Sequence, residues 1–193
     1  GYVASGLVPL NFVLDDDSDP ILPNTRVYSN IAPGNYTVTE NILSGFRLTS
    51  LFCTDPDNGS IINLQTRTAT IDLDAGENIT CTYTNFQTGS IIIIEDTIPN
   101  GPQNFAYATT GLIPANFALD DDADLLLSNI RVYNNFVPGS YSVTQNLPIG
   151  FSLTGLFCVD PDNGTMVNLV TRVSTIDLDA GESITCTYTN TAN

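Results

Sequence analysis

Residues 89–105, GSIIIIEDTIPNGPQNF, decide how this chain is read. Four consecutive isoleucines, Ile91, Ile92, Ile93 and Ile94, predict a strand, and the Pro/Gly/Asn cluster after them predicts a turn. An apolar run without alternation suits a strand covered on both faces. The segment stands between two near-copies of one sequence. It immediately precedes the second copy, whereas the first copy starts at Gly1, past the point where a counterpart would end. Two domains are thus expected to share a single edge element, and a sheet edge left without its strand invites one from elsewhere.

The repeat is visible by direct comparison. GLVPLNFVLDDDSD from Gly6 matches GLIPANFALDDDAD from Gly111, and RVYSNIAPGNYTVT from Arg26 matches RVYNNFVPGSYSVT from Arg131. GFRLTSLFCTDPDNG from Gly45 matches GFSLTGLFCVDPDNG from Gly150, and both copies close on TCTYTN. So long a period marks a tandem array of independent domains, not a solenoid. Within a copy the apolar residues alternate, as at Tyr36 and Val38 or at Ile79, Cys81 and Tyr83. Turn signals separate these runs, and no stretch carries a helical period. The expectation is an all-β chain of two tandem Ig-like, antiparallel β-sandwich domains of about seven strands each. Domain one covers residues 1–88 and lacks the first strand; domain two covers 89–193 and begins with Ile91–Ile94.

Composition narrows the function classes. Net charge is −16, with 21 acidic residues against five Arg, and the chain has no Lys, His or Trp. That balance argues against nucleic acid and anionic membrane surfaces as partners. No apolar run is long enough for membrane insertion. Without His or Lys, a Ser or Thr nucleophile has no ordinary base, so the chain is expected not to be an enzyme. Cys53 and Cys81 fall in the first copy, and Cys158 and Cys186 fall at matching positions in the second. This spacing reads as one disulfide per domain and an oxidising compartment. A four-Cys metal site is disfavoured, because no C-x-x-C occurs and the pairs belong to different domains.

The run from RVYxNxxPGxYxVT to TCTYTN, with PGNYTVTE at 33–40, FxLDDDxD, CxDPDNG and IDLDAGExITCTYTN, resembles the prealbumin-like (transthyretin-like) surface-repeat domains of prokaryotes. These are relatives of the collagen-adhesin B-type and SpaA-type pilin modules. The resemblance implies an extracellular, cell-surface β-sandwich serving as stalk, adhesin spacer or fibre subunit, without catalysis. Many such relatives carry a Lys–Asn isopeptide bond. A chain without Lys cannot form one, so cross-links within its domains are expected to be disulfides and links between subunits non-covalent.

Three groups of residues are candidate sites. Asp15, Asp16, Asp17 and Asp19 recur as Asp120, Asp121, Asp122 and Asp124, and clustered loop carboxylates are how proteins supply oxygens to Ca2+. The competing reading is turn and cap chemistry. That reading is favoured for Asp55 and Asp57, for Asp72, Asp74 and Glu77, and for their counterparts Asp160, Asp162, Asp177, Asp179 and Glu182. Asn35, Asn58, Asn78 and Asn163 begin N-x-S/T sequons, candidate glycosylation sites that chance also supplies in a chain rich in Asn and Thr. Ile91–Ile94 form the candidate assembly strand, which either pairs within its own domain or completes a sheet in another. The expected partner is another copy of the chain, joined head to tail into a filament or pilus-like fibre by strand complementation. A stalk of spacer repeats uses the same physics. The alternative is an adhesin for sugar or protein ligands, with or without calcium.

Overall fold

The computed structural model describes residues 1–17, 19–122 and 126–193. They divide into unit 1, Gly1–Phe86, and unit 2, Gln87–Asn193. Unit 1 contains β1 (Tyr2–Ser5), β2 (Asn11–Phe12), β3 (Gly34–Glu40), β4 (Phe46–Thr54), β5 (Ile61–Asn63), β6 (Thr68–Leu73) and β7 (Thr80–Gln87, whose last residue enters unit 2). Unit 2 contains β8 (Gly89–Ile98), β9 (Phe105–Thr110), β10 (Asn116–Leu119), β11 (Ile130–Phe136), β12 (Gly139–Asn146), β13 (Phe151–Val159), β14 (Met166–Asn168), β15 (Val173–Leu178) and β16 (Ser183–Ala192). Among the described residues, unit 1 thus has the expected seven strands and unit 2 has nine.

One sheet is the same in both units. It runs β2-β1-β3-β6-β5 in unit 1 and β10-β9-β12-β15-β14 in unit 2, with every pair antiparallel. The turns repeat as well: Asn58 and Asn163 take positive φ in their DPDNG loops, a conformation that Asn tolerates better than most residues. The Asp55 and Asp160 carboxylates accept the N–H groups of Ser60 and Thr165 at 2.8 and 2.7 Å, closing each loop.

The other sheet differs. In unit 2 it has four strands in the order β11-β8-β16-β13; in unit 1 it has two, β4 and β7. The disulfides Cys53–Cys81 and Cys158–Cys186 each join the two strands that both units retain, with Cα atoms 4.0 Å apart. In unit 2 the cysteines are direct cross-strand partners.

β8 differs from its expectation in three ways. It reaches ten residues, well beyond Ile94. It is an interior strand, antiparallel to β11 and parallel to β16, and not an edge. Its faces are unequal: Ile91 and Ile93 are fully buried while Ile92 and Ile94 are half-buried. The even apolar run concealed an ordinary alternation, since Ile suits either face. Gly89 opens the strand where a Cβ would lie 2.7 Å from the Glu182 carbonyl and 2.8 Å from Leu178, so the close approach of β8 to its neighbours requires glycine there.

Candidate functional site

The part of unit 1 that corresponds to β8 and its surroundings is an open slot. Its walls are β7 on one side and residues 25–31, the counterpart of β11, on the other. No strand forms in residues 25–31, although RVYxN is common to both copies. The reason is topological: β11 is the outermost strand of its sheet and its one neighbour is β8. Without β8 the same residues have no ladder to join.

The walls nevertheless keep the local geometry of the filled site. Tyr28 donates to the Pro9 carbonyl at 3.0 Å, as Tyr133 does to Pro114 at 3.0 Å. The guanidinium of Arg26 lies 5.2 Å from the Tyr28 ring, and that of Arg131 lies 5.1 Å from Tyr133. Tyr83 donates to the Val38 carbonyl at 2.8 Å and meets Tyr2 edge-on at 5.2 Å. Tyr188 makes the matching contacts with Val143 at 2.9 Å and Tyr107 at 5.2 Å. Asn30 and Asn135 share a positive φ, which in unit 2 sits at the bulge of β11.

What changes is burial. Ile184, Cys186, Tyr188 and Asn190 on β16 are fully buried against β8. Their counterparts Ile79, Cys81 and Tyr83 are half-exposed, and Asn85 is exposed. Ile71, Leu73 and Tyr28 are likewise half-buried where Ile176, Leu178 and Tyr133 are buried. The buried cluster of unit 1 contracts to Tyr2, Ala4, Leu7 and Val38. A groove of about 540 Å³ opens beside it, lined by residues that include Glu40, Leu43, Phe46, Leu48, Arg67 and Asn85.

The polar end of the filled site centres on Glu95, at the end of the isoleucine run. Its carboxylate is fully buried. It accepts from Asn190 Nδ2 at 2.7 Å, Gln145 Nε2 at 3.0 Å and Thr97 Oγ1 at 3.1 Å, and also from the Tyr107 hydroxyl. Burial pushes its pKa up to about 7, and the four donors pull in the opposite direction without cancelling it. Unit 1 retains Tyr2 and Asn85 for Tyr107 and Asn190 but has Glu40 for Gln145. Glu40 Oε1 takes both donors, from the Tyr2 hydroxyl at 3.2 Å and Asn85 Nδ2 at 2.6 Å. Nothing in the sequence marked Glu95, because it reads as the polar end of an apolar strand. The one signal was the Glu40/Gln145 difference at otherwise matching positions.

The acidic clusters are distributed differently from the sequence reading. Of the DDDxD residues, Asp124 lies outside the described residues. Asp121 Oδ2 accepts the Thr97 N–H at 3.1 Å and the Asp121 carbonyl accepts the Gly101 N–H at 3.1 Å, so this residue anchors the end of β8. Its counterpart Asp16 accepts from Asn24 at 3.3 Å. Asp17 and Asp19 accept backbone N–H groups two residues ahead, each at 2.8 Å, which is turn chemistry. Asp15 is half-buried, Asp120 is buried and Asp122 is half-buried. Among the described residues, the carboxylates that converge are Asp55, Asp57 and Glu77, and likewise Asp160, Asp162 and Glu182, each set with oxygens within 4.8 Å of one another. Asn35, Asn58, Asn78 and Asn163 are all exposed.

A family model for the prealbumin-like fold domain matches residues 12–87 and, a second time, residues 91–192. The chain belongs to that family. Its two prealbumin-like domains are therefore the two units described above, each with its own disulfide. No curated protein matches the chain in sequence. Among solved structures, the chain is similar to the T-13 major pilin of Streptococcus pyogenes at 14% identity and a TM-score of 0.38, over 88% of this chain and 70% of that one. It is also similar to the C-terminal fragment of the pilus adhesin SpaC of Lactobacillus rhamnosus GG, at 13% identity and a TM-score of 0.35, over 89% and 81% of the respective chains.

Proposed function

We propose that the chain is a structural module of an extracellular filament or surface stalk, in which the slot of unit 1 receives a β8-type strand from a neighbouring subunit or repeat. One observation carries this reading: residues that are buried against β8 in unit 2 stand open, in the same local geometry, in unit 1. Strand addition would give β7 a second ladder, cover Ile79, Cys81 and Tyr83, and recruit residues 25–31 as a fourth strand. Asp16 stands where Asp121 receives the N–H of Thr97, so the end of an incoming strand would find its acceptor in place. Fully burying an isoleucine or tyrosine stabilises by roughly 1.5–3 kcal/mol, so several such residues outweigh the cost of ordering a short strand. The link is non-covalent and the role non-catalytic. Disulfides and a strongly acidic, Lys-free surface suit a module that works outside the cell.

The test is to graft a second copy of residues 89–105 ahead of Gly1, with glutamine in place of its glutamate so that no second carboxylate meets Glu40, recreating the strand order of unit 2. Amide hydrogen exchange of Thr80–Gln87 should slow by at least about tenfold, the change expected when an edge strand becomes interior. Unchanged exchange would overturn the slot. Electron microscopy of source cells labelled with an antibody to the chain should decorate surface filaments or stalks; label confined to the cytoplasm would defeat the wider role.

A further inference from the structure

The two slots are not equivalent, and the difference lies at one position. In unit 2 the strand brings in a carboxylate, Glu95, and β12, in the other sheet, offers it the Gln145 amide at 3.0 Å. In unit 1 the matching strand β3 carries Glu40 instead, buried at 7% exposure. Glu40 already holds the two donors, Tyr2 and Asn85, whose counterparts serve Glu95. A strand entering with glutamate at the Glu95 position would set a second carboxylate against the first, with both donors spent. A strand entering with a hydrogen-bond donor there would meet an acceptor already oriented.

We infer that the slot of unit 1 selects, at the position Glu95 occupies in unit 2, a strand carrying a hydrogen-bond donor and rejects one carrying a carboxylate. This rests on the strand-accepting reading of that slot and specifies its partner. The disfavoured strand is therefore β8 itself. Exchange of β8 between copies would close the slot of unit 1 only by opening that of unit 2. Glu40 adds an electrostatic bar to that exchange. It leaves β8 with the unit whose Gln145, Asn190 and Tyr107 all donate to it. Such discrimination works by repulsion of the wrong partner as much as by attraction of the right one.

Other charges around the position do not supply the missing donor. Arg67 donates its Nε to the Glu40 main-chain carbonyl at 3.1 Å, as Arg172 does to that of Gln145 at 3.2 Å, so it does not distinguish the two slots. Arg47, where unit 2 has Ser152, is exposed on β4 at the side of the groove.

The grafted chain provides the experiment. Two versions are compared at pH 7.5, one with the native glutamate and one with Glu95→Gln in the grafted copy only. Each is made on the native chain, on Glu40→Gln and on Arg47→Ser. Exchange protection of Thr80–Gln87 should be at least about tenfold greater for the glutamine graft on the native chain, since like charges brought together cost several kcal/mol. The two grafts should be equal on Glu40→Gln and still unequal on Arg47→Ser. Equal protection on the native chain, with both grafts protecting, overturns the selectivity and leaves the slot standing. Protection by neither graft overturns the slot and the selectivity together. The mirror substitution Gln145→Glu, made without any graft, should speed exchange of Ser183–Ala192 at least about tenfold; no change there also overturns the inference.

Discussion

Units 1 and 2 share most of their sequence and one of their two sheets, yet they are packed to different degrees. In unit 2, β8 lies between β11 and β16, and a continuous core runs from Ile91 and Ile93 to Tyr188. In unit 1 the same tyrosines, isoleucines and cystine line an opening. A single strand thus decides whether its neighbours are core or surface. It also decides whether RVYxN is a strand, because an outermost strand exists only through the neighbour it pairs with.

The paired tyrosines Tyr83 and Tyr188 differ most in what their loss should cost. Tyr188→Ala should destabilise unit 2 by about 3–5 kcal/mol, as expected for a large aromatic in a filled core. Tyr83→Ala should cost unit 1 clearly less, because its ring is already half-exposed. Denaturation followed by exchange in each unit separates the two values; equal losses would mean that the open slot is not open in solution.

The disulfides come next. Each closes a separation of 28 residues, for which chain-entropy arguments give about 3.5 kcal/mol. Losses of similar size should have unequal consequences. Reduction should unfold unit 1 at temperatures where unit 2, supported by β8, stays folded, and a melt of the reduced chain should show two separated transitions. A single shared transition would argue against the difference in packing.

Glu95 supplies unit 2 with a pH dependence. Its folded pKa lies near 7 against an ordinary value of 4.5, because burial penalises the charge. A raised carboxyl pKa means that the folded state holds the proton longer than the unfolded state. The contribution of Glu95 to the stability of unit 2 is therefore greatest at and below about pH 4.5, falls as pH rises from there to about 7, and is level above. The span is about 3 kcal/mol. Glu95→Gln should flatten this part of the profile, read from denaturation midpoints between pH 4 and 8.

The smallest effect sharpens the comparison at its rim. Asp121→Ala removes the acceptor for Thr97 N–H and should cost unit 2 about 1–2 kcal/mol. Asp16→Ala, at the matching position, should change unit 1 by less than about 0.5 kcal/mol, the usual range for a surface change. After a strand is grafted ahead of Gly1, Asp16→Ala should cost as much as its counterpart.

Much of the fold was legible in particular residues. Tyr36 and Val38, or Ile79, Cys81 and Tyr83, alternate with polar neighbours and predict half-buried strands. The matched cysteines predict one cystine per domain, which the structure contains. The site was less legible. Four isoleucines in a row conceal which of them face the core. Glu95 looks like the end of the run, because its hydrogen-bond partners lie at Tyr107, Gln145 and Asn190, up to 95 residues away. DDDxD looked like one cluster, yet Asp121 anchors β8 while Asp17 and Asp19 shape a turn.

The sequence alone determined the repeat, the β class and the cysteine pairing, because these follow from local alternation, turn residues and spacing. Only the tertiary structure decided what each residue does there. TCTYTN closes both units with the same six residues, buried at Cys186, Tyr188 and Asn190 and half or fully exposed at Cys81, Tyr83 and Asn85. Burial depends on what packs against a residue, and that neighbour is β8, more than 80 residues from β16 in the chain and present in one unit of the two.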